Sequence, residues 1–296
     1  MIKINNVCKK FSNNLIALDN VNFKINDGKI LGIVGTNGSG KSTLLNIISG
    51  IMEADSGSIE IDNELIFDNE DKKEELIYVS DDQFYIKNFN LIEVKKFYKM
   101  LYKNFNENKF DELVKMLNFD EKINIKSFSK GMKKQASIII ALSSNAKYIL
   151  LDEIFDGLDI YIKNKIKKIF IDEVEKNKLT LIVSSHNLKE VEEICDDLIM
   201  LDKGKVLFSK DISEIKDNIY KYQIVSKNIR YNDIKEIFSE YKIFSITAFG
   251  SVYTIILEGD EKGIIERIEN INPLLYEKLE VSLEEIFISK LEAENV

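Results

Sequence analysis

The stretch Ile30-Leu31-Gly32-Ile33-Val34-Gly35-Thr36-Asn37-Gly38-Ser39-Gly40-Lys41-Ser42-Thr43 decides the fold. Ile30–Val34 is an apolar run of strand length, and it passes directly into Gly-x-x-x-x-Gly-Lys-Ser, matched at every fixed position. Ser42–Ser49 then reads as a helix, with Gly50 placed for its C-terminal cap. Strand, glycine loop and helix in this order make a phosphate cradle. Glycines let backbone N–H groups curl around phosphate oxygens without Cβ clashes, and the helix N-terminus adds partial positive charge. The expected nucleotide contacts are Gly35, Thr36, Asn37, Gly38, Ser39, Gly40, Lys41, Ser42 and Thr43. Lys41 can neutralise β- and γ-phosphates, and the Ser42 hydroxyl can ligate Mg²⁺. A glycine-rich turn that merely contains a lysine is the poorer reading, because strand and helix stand in register on either side.

Downstream, Tyr148-Ile149-Leu150-Leu151-Asp152-Glu153 is an apolar strand ending in two acids. Such a strand places Asp152 at the carboxyl edge of a sheet, where it can help hold Mg²⁺. Glu153 can polarise a water for in-line attack. Between and after these motifs, short apolar strands alternate with helices. The strands are expected at Ile2–Val7, Val21–Ile25, Ser58–Ile61, Leu76–Val79 and Thr180–Val183, and Asp27-Gly28 reads as a hairpin turn. Leu91–Leu117 is expected to be mostly helical, and helices are expected over Gly131–Ser143, Tyr161–Lys176 and Leu188–Cys195. The pattern is α/β with a largely parallel sheet. After about Lys210 the texture changes to a small α+β region, with strands at Tyr222–Val225, Ser245–Phe249 and Val252–Leu257 and helices at Asn232–Tyr241 and Lys262–Ile271. Ser282 and Glu285 form a capping box for a last helix.

The chain has 296 residues, 45% hydrophobic and 31% charged, which argues for a large core and against disorder. No apolar run exceeds five residues (Ile138–Leu142), whereas a spanning helix needs roughly 20. The opening MIKINNVCKKF lacks the apolar segment of a secretory leader. Cys8 and Cys195 have neither disulfide-framework nor metal-site spacing; they read as packed thiols in a reducing compartment. A net charge of −9 argues against a generic nucleic-acid coat. Residues 217–296 hold 9 Lys and Arg against 15 Asp and Glu, so −6 of that charge lies in the C-terminal region.

Between the two phosphate motifs lies Phe128-Ser129-Lys130-Gly131-Met132-Lys133-Lys134-Gln135, which resembles the signature motif of ABC ATPases. Asp156-Gly157-Leu158-Asp159 resembles their D-loop, and Ser185-His186 their switch histidine. Order and spacing match along Ile2–Phe208. The resemblance implies a P-loop ABC ATPase core over residues 1–216, made of a RecA-like mixed sheet, an antiparallel β subdomain and a helical subdomain at about 88–145, with 217–296 as an accessory α+β domain. It further implies two such domains closing head to tail around two ATP molecules. The signature residues Ser129, Lys130, Gly131 and Met132 would then face the partner's site, with Ser129 and Gly131 contacting the γ-phosphate bound there. Glu153 would be the general base, His186 would hold the attacking water, and Asp159 would speak across the interface. Phe11, at the aromatic A-loop position, would stack on adenine.

The sequence departs from the family at several points. Tyr78-Val79-Ser80-Asp81-Asp82-Gln83 stands where the Q-loop usually reads aromatic-x-Pro-Gln. Direct register puts Asp81 at the glutamine position, with Gln83 as rival. Asp81 can accept from a metal-bound water, which sets it beside Ser42 and Asp152 on the metal side. Lys130 and Lys133 replace small or Gln residues of the signature, and Ile154 replaces a common Pro. The leading expectation is the ATP- and Mg²⁺-dependent ATPase subunit of an ABC transporter, at the cytoplasmic face of a membrane. It would pair with a second nucleotide-binding subunit, a second copy or a close homologue, and with separately encoded permease subunits. The signature and the closing Val281–Phe287 resemble exporter-type systems, which suggests efflux. A soluble ABC ATPase acting on ribosomes or nucleic acid is the alternative; one P-loop, one signature and no heptad run weigh against it. A P-loop GTPase would want Asn-Lys-x-Asp, and Asn177-Lys178-Leu179-Thr180 lacks the Asp.

Overall fold

The computed structural model describes residues 1–12, 14–81, 89–227 and 229–294. It divides into two compact units, Met1–Asp211 and Ile212–Val296, so the division falls five residues before the expected boundary. The first unit opens with β1 (Ile2–Lys10), β2 (Ile16–Ile25), β3 (Ile30–Val34), α1 (Lys41–Ile48), β4 (Ser56–Ile61) and β5 (Glu64–Leu65). It continues with α2 (Glu70–Glu74), β6 (Leu76–Val79), α3 (Leu91–Leu101), α4 (Glu107–Met116) and α5 (Lys130–Ser143). It closes with β7 (Tyr148–Asp152), α6 (Ile160–Asn177), β8 (Thr180–Ser185), α7 (Leu188–Glu192), β9 (Asp197–Asp202) and β10 (Lys205–Asp211).

Two sheets make this unit. A six-stranded sheet runs β10-β9-β3-β8-β7-β6, parallel except for β10 at its edge. An antiparallel sheet runs β2-β1-β4-β5. Strands β3, β7 and β8 are buried along their whole length, as parallel strands covered on both faces must be. Leu44, Leu45, Ile47 and Ile48 of α1 join Ile33, Leu150, Ile182 and Ile199 of the mixed sheet and Ile4, Val21 and Ile59 of the antiparallel one in a single core. The helix that follows the glycine loop is thus clamped between the two sheets.

One local reading needs correction. Asp27-Gly28 does not close a hairpin. β2 pairs with β1, whereas β3 pairs with β8 and β9. Gly28, at φ 72°, turns the chain from one sheet into the other, and its N–H donates to Thr180 Oγ1 at 2.9 Å. Leu91–Leu117 is mostly helical, as expected, and is divided into α3 and α4. The Asn106 side chain accepts from Lys109 N at 3.0 Å, and this cap requires non-helical backbone between α3 and α4.

The second unit runs α8 (Ile212–Lys216), β11 (Ile219–Val225), α9 (Tyr231–Ile237), β12 (Lys242–Phe249), β13 (Val252–Glu258), α10 (Glu261–Asn270), β14 (Leu275–Leu279) and α11 (Leu283–Glu294). Its antiparallel sheet has the order β12-β13-β11-β14, so β11 to β14 form a βαββαβ unit of ferredoxin-like connectivity. Ile234 and Phe238 of α9 and Ile264 and Ile268 of α10 pack on Tyr222, Ile224, Tyr253, Ile255 and Leu257. The Ser282 and Glu285 capping box opens α11 as expected: Ser282 N donates to Glu285 Oε2 at 3.1 Å.

Candidate nucleotide site

The site assembles because β8 lies between β3 and β7. Val34 pairs with Ser185, and Asp152 pairs with Ser184, so three neighbouring strand ends deliver the glycine loop, Asp152-Glu153 and Ser185-His186 to one edge. Thr36, Asn37, Gly38 and Ser42 are exposed there, with Gly35, Gly40 and Thr43 half-buried. Gly40, at φ 109°, starts α1 with no side-chain cap, which leaves the first-turn amides of the helix open to an anion. Gly40 also lies against β2, where a Cβ would run into the Ala17 carbonyl oxygen. Ser39 is almost fully buried, and its Oγ has no hydrogen-bond partner among the described residues. The Lys203-Gly204 turn between β9 and β10 props the loop from behind: Gly204 N donates to Ser39 O at 3.0 Å.

Glu153 is the centre of the polar network. Its Oε1 lies 3.3 Å from Lys41 Nζ, and its Oε2 lies 2.9 Å from His186 Nδ1. Lys41, itself buried, also donates to the Gly35 carbonyl at 2.8 Å. Glu153 has φ 46°, a left-handed conformation uncommon outside glycine, asparagine and aspartate, so the turn holding it carries strain. Asp156 joins this group: one oxygen or nitrogen from each of Glu153, Asp156 and His186 lies within 4.8 Å of the others.

Asp152 is fixed from both sides. Ser184 Oγ donates to Oδ1 at 2.5 Å, and the Tyr78 hydroxyl donates to Oδ2 at 3.2 Å. Burial, reinforced by the Asp152 charge, pushes the Tyr78 phenol pKa up, so this hydroxyl acts as a donor. Ser184 Oγ in turn accepts from Glu153 N at 3.0 Å. A carboxylate oriented by two donors suits a metal ligand; Ser42, the other oxygen expected from the sequence, stands on the first turn of α1. Asp81 is engaged otherwise. Its Oδ1 lies 2.9 Å from Lys134 Nζ and 3.5 Å from Lys130 Nζ. Burial alone would raise the Asp81 carboxyl pKa, but the two lysines outweigh it and hold it below the ordinary value. Gln83, its rival, lies outside the described residues.

Ser129 caps α5, its Oγ accepting from Met132 N at 3.2 Å; Ser129 and Lys130 are exposed, and Gly131 and Met132 half-buried. Gly131 backs onto the D-loop, since a Cβ there would lie 2.9 Å from Gly157 O. Asp159 caps α6 by accepting from Ile162 N at 3.0 Å, and the neighbouring Ile160 and Tyr161 are exposed. Phe11 is half-buried in the β1–β2 turn, its N–H donating to Leu15 O at 2.9 Å. Sequence reasoning missed Ser184, Tyr78, Gly204 and Lys134. Lys134 did leave a signal: it stands four residues before Ile138 and eight before Leu142, on the apolar stripe of α5.

The profile of the ABC transporter family matches residues 18–156. The ABC transporter ATP-binding protein YtrB of Bacillus subtilis strain 168 is 27% identical over 290 residues, covering 98% of each chain. The Lantibiotic transport ATP-binding protein SrtF of Streptococcus pyogenes is 30% identical over 246 residues, 78% of this chain and 100% of that one. The chain belongs to the ABC transporter ATP-binding proteins. Among solved structures, a dimeric ATP-binding cassette in a post-hydrolysis state, bound to ADP and Pi, superposes with a TM-score of 0.65. It is 26% identical, over 72% of this chain and 99% of that one. As an ABC transporter ATP-binding protein, this chain is an ATPase subunit of a transporter. No helix among its described residues is long and apolar enough to cross a membrane.

Proposed function

We propose that Glu153 is the general base of ATP hydrolysis and that the surrounding groups serve it. The observation that carries this reading is the placement of the Glu153 carboxylate between Lys41 and His186, at the open edge of the glycine loop. The loop amides of Gly35 to Thr43 would take the phosphates, and Lys41 would leave Glu153 for the γ-phosphate when ATP arrives. That exchange frees one carboxylate oxygen to accept a proton from water, while His186 holds the other. Ser42 and Asp152 would hold Mg²⁺, whose charge offsets that of the β- and γ-phosphates. Phe11 would stack on adenine. Ser129, Lys130, Gly131 and Met132 would complete the site of a second subunit, with Asp159 at the same interface. Asp81 is the Q-loop residue in this reading.

Residues 1–216 would form the nucleotide-binding domain and 217–296 the accessory domain. The working complex would contain two nucleotide-binding subunits and separate permease subunits at the cytoplasmic face of a membrane, with export as the direction. Size-exclusion chromatography with light scattering tests the pairing: ATP should shift a hydrolysis-deficient variant from monomer to dimer, and Ser129→Arg should block that shift. Copurification of a permease in detergent tests the membrane assignment. A chain that stays monomeric at saturating ATP and captures no membrane subunit contradicts the proposal.

A further inference from the structure

Lys134 is the one lysine of α5 that is fully buried, with 0% of its surface exposed. Its ammonium does two things at once. It donates to the backbone carbonyl of Glu153, and it pairs with Asp81 Oδ1 at 2.9 Å. Three separate segments therefore meet at a single nitrogen: the residues just after β6, the signature helix α5, and the turn after β7 that carries the Glu153 carboxylate. A buried ammonium is expensive unless it is paired and hydrogen-bonded. Asp81 supplies the charge and Glu153 O a hydrogen bond, so lysine and aspartate depend on each other. Glu153 needs such support, because its φ of 46° is held by surroundings rather than by its own preference.

We propose that Lys134 is a positioning residue for ATP hydrolysis, which with Asp81 fixes the left-handed turn that aims the Glu153 carboxylate. The inference rests on Glu153 being the base. Lys134 is not among the residues that hold the Glu153 carboxylate. Its ammonium sits behind Glu153, on the carbonyl side of the turn, while Lys41 and His186 take the carboxylate. Asp81 acts here as the counter-charge that keeps Lys134 in place. Because Lys134 belongs to the helix capped by Ser129, a shift of that helix would reach the Glu153 backbone directly.

Steady-state ATPase assays on Lys134→Met, Lys134→Arg, Asp81→Asn and Lys134→Met/Asp81→Asn test the proposal. Lys134→Met should lower kcat about 10- to 100-fold, as misplacement of a catalytic group does, with KM for ATP changed by less than about twofold. Lys134→Arg should recover most of the rate. Asp81→Asn should also lose rate, and the double variant should be no slower than the slower single one, because both substitutions break the same link. If Lys134→Met does not fold, Asp81→Asn with Mg²⁺ titration carries the test. A fall in kcat at unchanged half-saturating Mg²⁺ supports the positioning link, and a raised Mg²⁺ requirement overturns it. Wild-type kcat in Lys134→Met, or additive losses in the double variant, also overturn it. Glu153→Gln serves as the control: if it hydrolyses ATP normally, the assignment of the base fails, whereas slow Glu153→Gln beside normal Lys134→Met removes only the role of Lys134.

Discussion

Replacing Ser184 with alanine should damage both the stability of the ATPase unit and its use of Mg²⁺. Ser184 is fully buried, and its one hydroxyl donates to Asp152 Oδ1 while accepting from Glu153 N. A hydrogen bond to an ionised carboxylate contributes about 1.5–3 kcal/mol, and a neutral one to a backbone amide about 0.5–1.5. Alanine fills nearly the same space, so the cavity term is small and the loss should be about 2–4 kcal/mol. Urea unfolding followed by far-UV circular dichroism measures it. Two units can give two transitions, and the one belonging to the ATPase unit is the one that Mg-ATP raises. That midpoint should fall in Ser184→Ala with the slope unchanged. Half-saturating Mg²⁺ in the ATPase assay should rise as well, because Asp152 loses one of the two donors that orient it. A destabilisation below about 0.5 kcal/mol together with an unchanged Mg²⁺ requirement would refute the reasoning.

Further outcomes follow from other sites. Gly40→Ala combines a backbone at φ 109° with a Cβ driven into the Ala17 carbonyl, so it should destabilise by about 2–5 kcal/mol and abolish ATP binding. Gly38→Ala, at φ 81° with open space around the added Cβ, should lose only the strain, about 1–3 kcal/mol; comparative urea unfolding separates the two. Lys147 and the N-terminal ammonium hold the Asp62 carboxyl down at about 2. A depressed carboxylate stabilises above its unfolded pKa near 4 and loses that contribution as pH falls towards 2. Lys147→Met should move the Asp62 titration, followed by carboxyl NMR, upwards towards 4. The stability gap between wild type and Asp62→Asn should close over the same interval on acidification.

The nucleotide site was legible in sequence wherever the chain writes its chemistry contiguously. Gly35 to Ser42, Asp152-Glu153 and Ser129 to Met132 each sit where a strand or loop ends, so local pattern and proposed role coincide. Ser184, Tyr78 and Lys134 were not legible in this way. Each acts across strands or from another element, and the contact exists only once β8 stands between β3 and β7 and α5 lies over the β7 turn. Asp27-Gly28 misled for a related reason: a turn signal specifies a change of direction, but the partner of the next strand is set by the core. Here burial on both faces sends β3 into the parallel sheet. Strands β9, β10 and β14 escaped notice because charged residues interrupt or flank their apolar runs, as in Asp197–Asp202 and Lys205–Asp211.

The central claim is that the Glu153 carboxylate, held between Lys41 and His186, takes the proton from water. Single-turnover hydrolysis of ATP by Glu153→Gln, with bound nucleotide identified after rapid gel filtration, tests it most directly. The amide keeps the shape and a hydrogen-bonding oxygen but cannot accept the proton. ATP should stay bound and uncleaved, with turnover down by about 10²–10⁴-fold and ATP affinity close to wild type. Recovery of ADP at the wild-type rate would contradict it.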